Sequence, residues 1–134
     1  MSRTRDMERL RAALGGRSGV RLAVLFGSLA RGTARDASDI DVAVDGDGLD
    51  LGALARDISL AVGREADVVA LREVGHTLLQ AIVRDGVVVH EAVRGAGASW
   101  RSAAMAQLET DEPAFERMRE AWLRRVARQG ILDG

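Results

Sequence analysis

Four residues between positions 27 and 41 have the types and the spacing that phosphate and metal chemistry need. Gly27 and Ser28 follow a short apolar run. Glycine permits a tight turn and a close approach of the backbone to a ligand, and a helix that begins there aims free N–H groups at a phosphate. Asp39 and Asp41 follow after ten intervening residues. Residues two apart on a strand point to the same face, roughly 7 Å apart, so the spacing predicts two carboxylates beside a phosphate cradle.

A third acid lies where it can join this pair. Asp67 falls within the apolar run 66–71, which is typical of a buried strand. Burying a carboxylate costs free energy unless a cation neutralises it, so we expect Asp67 to meet Asp39 and Asp41 from a neighbouring strand. Carboxylate oxygens are ligands that Mg²⁺ prefers. A site with two metal ions, about 3.5–4 Å apart, stabilises both the attacking and the leaving oxygen of a displacement.

The hydrophobic pattern predicts the elements that must position these residues. Strict alternation of apolar and polar residues over 39–44 favours a strand, and apolar residues at helical spacing favour helices. The predicted order is helix 4–14, strand 20–26, a helical turn over 29–32, strand 39–44, helix 49–62, strand 66–71, helix 74–84 and strand 87–89. This order predicts an α+β (α/β) fold in which helices pack on a small mixed sheet.

The remaining residues, 95–134, are predicted to be a helical C-terminal extension of a domain that spans 1–94. Residues 95–98 are interpreted as a hinge, and 99–128 as two helices with a break near 111–113. Both tryptophans, Trp100 and Trp122, lie in this extension. Two interpretations stay open, because an apolar helix face can pack on the protein's own core or dock a partner.

Composition excludes several classes of chemistry. The 134 residues are 47% hydrophobic and 29% charged, which is typical of one globular domain. The net charge of -1 provides no general basic field, so no direct nucleic-acid binding is expected. Cysteine is absent, which excludes thiol nucleophiles and cysteine-ligated metals, and every basic residue is arginine, which excludes lysine chemistry. No apolar run approaches the roughly 18 residues of a membrane helix, so we expect a cytoplasmic protein.

The segment GSLARGTARDASDIDVAV, residues 27–44, resembles the minimal nucleotidyltransferase (MNT) branch of the DNA polymerase β-type nucleotidyltransferase superfamily. The similarity continues in order through Asp67 to the segment 82–91 and covers about the first 90 residues. The resemblance implies a nucleotidyltransferase fold.

The resemblance also implies a role for each matched residue. Asp39 and Asp41 would bind two Mg²⁺ ions, and Asp67 would complete one metal site and take the proton from the incoming hydroxyl. Arg31 would face the phosphates, and Ser38 would orient the strand that carries Asp39. The positions expected to bind the nucleotide are Gly27, Ser28, Arg31 and Ser38.

Proteins of this branch are commonly antitoxins of HEPN ribonuclease toxins. The resemblance therefore implies Mg²⁺-dependent transfer of AMP from ATP to a tyrosine of a HEPN toxin. Two alternatives stay open: a non-catalytic antitoxin that acts by steric occlusion, and a small-molecule nucleotidyltransferase such as those that modify aminoglycosides. Enzymes of the latter kind usually carry a larger substrate domain, for which 134 residues leave little room.

Overall fold

The computed structural model of the protein describes residues 3–109 and 112–129, the side chains of 112–116 and 129 excepted. In this part of the chain the strands are β1 (Val20–Phe26), β2 (Ile40–Gly46), β3 (Ala66–Ala70) and β4 (Val87–Glu91). The helices are α1 (Arg3–Gly15), α2 (Gly27–Arg31), α3 (Leu51–Val62), α4 (His76–Asp85), α5 (Ala96–Leu108) and α6 (Glu112–Gln129). A 3-10 turn, Leu71–Glu73, follows β3.

The strands form one mixed sheet in the order β3-β2-β1-β4. Strand β1 is antiparallel to both β2 and β4, whereas β2 and β3 are parallel and are joined through α3. The parallel pair needs a crossover connection, which the helix provides. The predicted mixed sheet with packed helices is therefore confirmed, and β3 lies at one edge of it.

Helices cover both faces of the sheet. Helices α1 and α3 pack on the face formed by alternate residues of β2, as the alternation over 39–44 predicts. The fully buried residues at this face include Leu10, Leu14, Ile40, Val42, Val44, Leu54 and Ile58. The opposite face meets α4 through Ile82 and also packs against Trp100. Asp41 lies between Ile40 and Val42 and so points to this second face.

Local signals explain where α3 begins and ends. Asp50 caps its N-terminus, because the carboxylate accepts a hydrogen bond from the Ala53 N–H at 3.0 Å. Gly63 ends the helix in the left-handed conformation, with φ of 81°. The helix starts two residues after the predicted position 49, and β2 continues to Gly46, two residues beyond its predicted end.

The segment 95–98 is not a hinge, which corrects the sequence interpretation. The Glu91 carboxylate accepts hydrogen bonds from the N–H groups of Gly95 (3.3 Å) and Gly97 (2.9 Å) at the start of α5. Gly97 is buried, and a Cβ atom there would lie 2.6 Å from Cγ2 of Val88. The first turn of α5 is thus fixed against β4.

The C-terminal helices pack on the protein's own core. Leu108 is fully buried together with Leu79 and Val83 of α4, and Met118 of α6 completes this cluster. Helix α5 ends at Leu108 and α6 begins at Glu112, in agreement with the predicted break. The side chain of Phe115, an apolar residue of α6, lies outside the described residues.

Two arginines of the C-terminal helices bind the end of α4. Arg125 donates from Nη1 to the Asp85 carbonyl (3.1 Å) and from Nη2 to the Gly86 carbonyl (2.8 Å), which Arg101 also contacts at 2.8 Å. Cations stabilise the negative end of a helix dipole. Burial and the neighbouring Arg125 lower the pKa of Arg101 to about 10. No helix within residues 3–109 and 112–129 is long and apolar enough to cross a membrane.

Candidate active site

The sheet register places Asp41 between a turn and a second acid. Asp41 pairs with Phe26, the last residue of β1, on one side and with Asp67 of β3 on the other. Paired residues of adjacent strands point to the same face, with the strands about 4.8 Å apart. Asp39 precedes β2 by one residue and lies two positions before Asp41. The three acids thus come to one end of one face of the sheet.

The turn after β1 requires glycine because the Asp41 carboxylate occupies the adjacent space. Gly27 has φ of 76°, a conformation that residues with a Cβ rarely adopt. A Cβ atom at this position would clash with Oδ2 of Asp41 and lie 3.1 Å from its Cγ. Gly27 therefore lies directly against the Asp41 carboxylate.

Helix α2 leads away from this turn and is fixed at its far end. Leu29 and Ala30 are buried on the sheet, while Ser28 stays partly exposed beside Gly27. Arg3 donates from Nε to the Leu29 carbonyl and from Nη2 to the Ala30 carbonyl, each at 3.0 Å. Arg3 is a contact that the sequence analysis missed, since nothing near position 3 indicates a partner in another element.

The charges of this region act on one another. Burial raises the pKa of Asp41, and the negative charges of Asp67 and Asp39 raise it further, whereas the Arg31 guanidinium opposes the shift. Like charges that disfavour ionisation are typical of functional carboxylates. Asp67 itself is exposed, which corrects the expectation that it is buried in its strand.

The sequence model of the polymerase β nucleotidyltransferase family matches residues 8–94 of this chain. The chain belongs to this nucleotidyltransferase family. The matched residues contain the Gly27 turn and all three acids, Asp39, Asp41 and Asp67. No curated protein matches the chain.

Solved structures of toxin–antitoxin complexes share the fold of this nucleotidyltransferase. A chain of a toxin–antitoxin structure with AMP-PNP is 25% identical with a TM-score of 0.54, and the match covers 99% of this chain and 97% of that chain. A chain from the complex of a tri-AMPylated Shewanella oneidensis HEPN toxin with an MNT antitoxin is 22% identical with a TM-score of 0.53, over 98% and 97% of the two chains.

The acids of this nucleotidyltransferase fit a divalent cation in the type of their donor atoms. Asp39, Asp41 and Asp67 offer only oxygen donors, which suit Mg²⁺, and a divalent cation would offset the repulsion that raises the pKa of Asp41. Within residues 3–109 and 112–129 no three acidic or histidine side chains are close enough to form a complete metal-binding cluster. The backbone thus brings the acids together, but their side-chain orientations do not converge on one point.

Arg31 and Ser38 lie beside the three acids but contact different groups. Nη1 of Arg31 is 3.6 Å from Oδ2 of Asp85, whose side chain is 13% exposed and also binds Arg84 at 3.0 Å. Ser38 accepts a hydrogen bond from the Arg35 N–H at 2.8 Å, so its hydroxyl stabilises the loop that leads to β2. The sequence analysis does not predict Asp85 as a partner of Arg31.

Proposed function

We propose that the protein is a Mg²⁺-dependent nucleotidyltransferase antitoxin that transfers AMP from ATP to a tyrosine of a HEPN-family ribonuclease toxin. The observation that carries the proposal is the contact between the Gly27 turn and the Asp41 carboxylate, with Asp67 in register beside it. A phosphate-binding turn in contact with paired carboxylates is the arrangement that nucleotidyl transfer needs.

Asp39, Asp41 and Asp67 would hold the cations in this proposal. Bound Mg²⁺ ions would polarise the α-phosphate and stabilise the charge that develops on the oxygens around it. Asp39 immediately precedes β2, Asp41 is the second residue of β2, and Asp67 lies opposite Asp41 on β3. The exposed carboxylates of Asp39 and Asp67 flank the partly buried Asp41, so that nucleotide and acceptor can both approach.

The chain's own residues would bind the nucleotide and move the proton. Free N–H groups at the Gly27 turn and the Ser28 hydroxyl would bind the phosphates, and the Arg31 guanidinium would offset their negative charge. The acceptor hydroxyl loses its proton to the Asp67 carboxylate as its oxygen bonds to the α-phosphorus. The bond from that phosphorus to the bridging oxygen breaks, and pyrophosphate leaves.

The choice of AMP and of a HEPN toxin is supported by the structural neighbours. One neighbour is a toxin–antitoxin structure with AMP-PNP, and another contains a tri-AMPylated HEPN toxin with its MNT antitoxin. Each match extends over nearly the whole of both chains, including the C-terminal helices. The 134 residues contain no tyrosine, which is compatible with an acceptor tyrosine on another protein.

The test is transfer of label from [α-³²P]ATP to a purified HEPN toxin encoded next to this protein. We expect wild-type protein with Mg²⁺ to label the toxin and to abolish its ribonuclease activity. Asp39→Asn/Asp41→Asn should lose the label and the neutralisation, and a toxin with phenylalanine at the modified tyrosine should take up no label. Neutralisation by the double variant without any label would instead establish steric occlusion and refute the transfer reaction.

A further inference from the structure

A buried ion pair lies under the loop that carries Asp39. Arg64, in the turn before β3, donates from Nε to Oδ2 of Asp6 at 3.1 Å. The two side chains are 5% and 0% exposed. Charged residues are almost never buried this completely without a specific partner. Nothing in the proposed chemistry uses either residue directly, so their burial needs another explanation.

The guanidinium of Arg64 binds both the Asp6 carboxylate and the backbone of the 35–38 loop. Its Nη1 donates to the carbonyl oxygens of Arg35, Asp36 (3.3 Å) and Ser38 (3.0 Å). These residues immediately precede Asp39, and most of the loop is otherwise exposed to solvent. One planar cation with several fixed donors can hold three carbonyls in a single arrangement.

Asp6 anchors this arrangement to the rest of the fold. It lies on α1, whose next apolar residue, Met7, packs into the main core. Oδ1 of Asp6 has no hydrogen-bond partner among the described residues, so Arg64 is its main compensating contact. On the other side, the N–H of Ile40 donates to the Glu65 carbonyl at 2.8 Å. The start of β2 is therefore held from α1 through Arg64 and directly from residue 65.

We infer that Arg64, held by Asp6, is a positioning residue that fixes the 35–38 loop and thereby places Asp39 beside the paired Asp41 and Asp67 for metal and nucleotide binding. Its guanidinium is buried and binds Asp6 and the loop through Nε and Nη1, so we do not expect it to contact substrate. The inference rests on the proposed function, since it assigns the ion pair a role in that same site. Removing a group that orients a metal ligand without touching the metal commonly changes metal affinity about 10–100-fold.

The test removes both charges together, because removal of one partner would leave an uncompensated buried charge. Asp6→Leu/Arg64→Met replaces the pair by apolar side chains, and a cavity of about 60 Å³ beside Asp6 can take the extra volume. The matched control, Arg17→Gln/Asp57→Asn, removes an ion pair between Arg17, two residues after α1, and Asp57 of α3. Neither residue contacts the 35–38 loop. Arg64→Lys is a second variant, which keeps the charge beside Asp6 but not the planar fork.

Two measurements distinguish positioning from a general structural role. Amide hydrogen exchange over residues 33–39 should become about tenfold faster in the double variant, while β1 and β2 keep their protection. The Mg²⁺ concentration for half-maximal AMP transfer should rise about tenfold or more, with the KM for the toxin unchanged within about twofold. Arg64→Lys should show intermediate effects, and the control pair should show neither.

Two results would overturn the inference: exchange of the loop that stays at the wild-type rate, or faster exchange with an unchanged Mg²⁺ requirement. If wild-type protein transfers no nucleotide, the proposed function fails, and calorimetric titration with Mg²⁺ and AMP-PNP decides the inference separately. We then expect the double variant to bind Mg²⁺ and AMP-PNP about tenfold more weakly than the control variant does. Equal affinities of the two variants would refute the positioning role. Arg64→Lys supplies the same comparison if the double variant does not fold.

Discussion

Replacing Gly27 by alanine tests the contact on which the proposed site depends. The substitution has two costs that the structure separates. Gly27 has φ of 76°, and holding an alanine in this left-handed conformation costs roughly 1–2 kcal/mol. The new methyl group would also overlap Oδ2 of Asp41. Relief of that overlap requires the carboxylate or the turn to move by about 1 Å.

The second cost should appear in catalysis rather than in stability. A misplacement of about 1 Å in a catalytic group can lower the rate by about 10²-fold, which corresponds to roughly 2.7 kcal/mol in the activation free energy. We therefore expect Gly27→Ala to lose about 1–2 kcal/mol of unfolding free energy and about two orders of magnitude in the rate of AMP transfer.

Gly48→Ala is the matched control for this experiment. Gly48 also has positive φ, 63°, but a Cβ atom there meets nothing within 4 Å. Both variants should lose similar stability in urea titrations, whereas only Gly27→Ala should lose transfer of label from ATP. A folded Gly27→Ala protein whose rate stays within about threefold of the Gly48→Ala rate would refute the argument that this turn positions Asp41.

Further predictions concern charge and packing. At neutral pH and without divalent cations, Asp41→Asn should have a higher melting temperature than wild type. The pKa of Asp41 is raised in the folded protein, so the wild type loses stability as the pH rises through that pKa. The difference in melting temperature should vanish towards pH 3, and a difference that does not change with pH would contradict this. Asp85→Asn should release Arg31 and raise the KM for ATP several-fold, up to about tenfold, in steady-state transfer assays. An unchanged KM would contradict the argument that Asp85 positions Arg31. Leu108→Ala should cost about 2–5 kcal/mol in urea titrations because Leu108 is fully buried, whereas Leu60→Ala, at a residue that is 85% exposed, should cost less than about 0.5 kcal/mol.

Local patterns predict much of this fold because they depend on neighbouring residues. The apolar run over 20–26 coincides with β1, since turn-forming residues border it on both sides. The alternation over 39–44 correctly predicts which residues of β2 meet the core. The junction of the Gly27 turn with Asp41 and Asp67 follows from the order of these strands and the family resemblance. The boundary at residue 94 and the individual site roles remain predictions.

Contacts between distant residues were beyond the reach of local patterns. Arg64 and Asp6 are far apart in the sequence and belong to segments that separately resemble solvated turns and helix ends. The interpretation of 95–98 as a hinge is wrong for the same reason. Two glycines in four residues indicate flexibility when only the local sequence is considered. In the structure, Val88 leaves no room for a side chain at position 97, and the carboxylate that caps α5 belongs to Glu91.

The position of β3 at the edge of the sheet has a consequence for the size of the acceptor. Among the strands of residues 3–109 and 112–129, β3 pairs with β2 alone, and Asp67 on it is exposed. The residue proposed to take the acceptor's proton therefore stands at an open flank of the molecule rather than at the bottom of a cleft. A bulky folded macromolecule can bring a single side chain alongside this flank without unfolding or threading, so steric access does not restrict the enzyme to small diffusible acceptors.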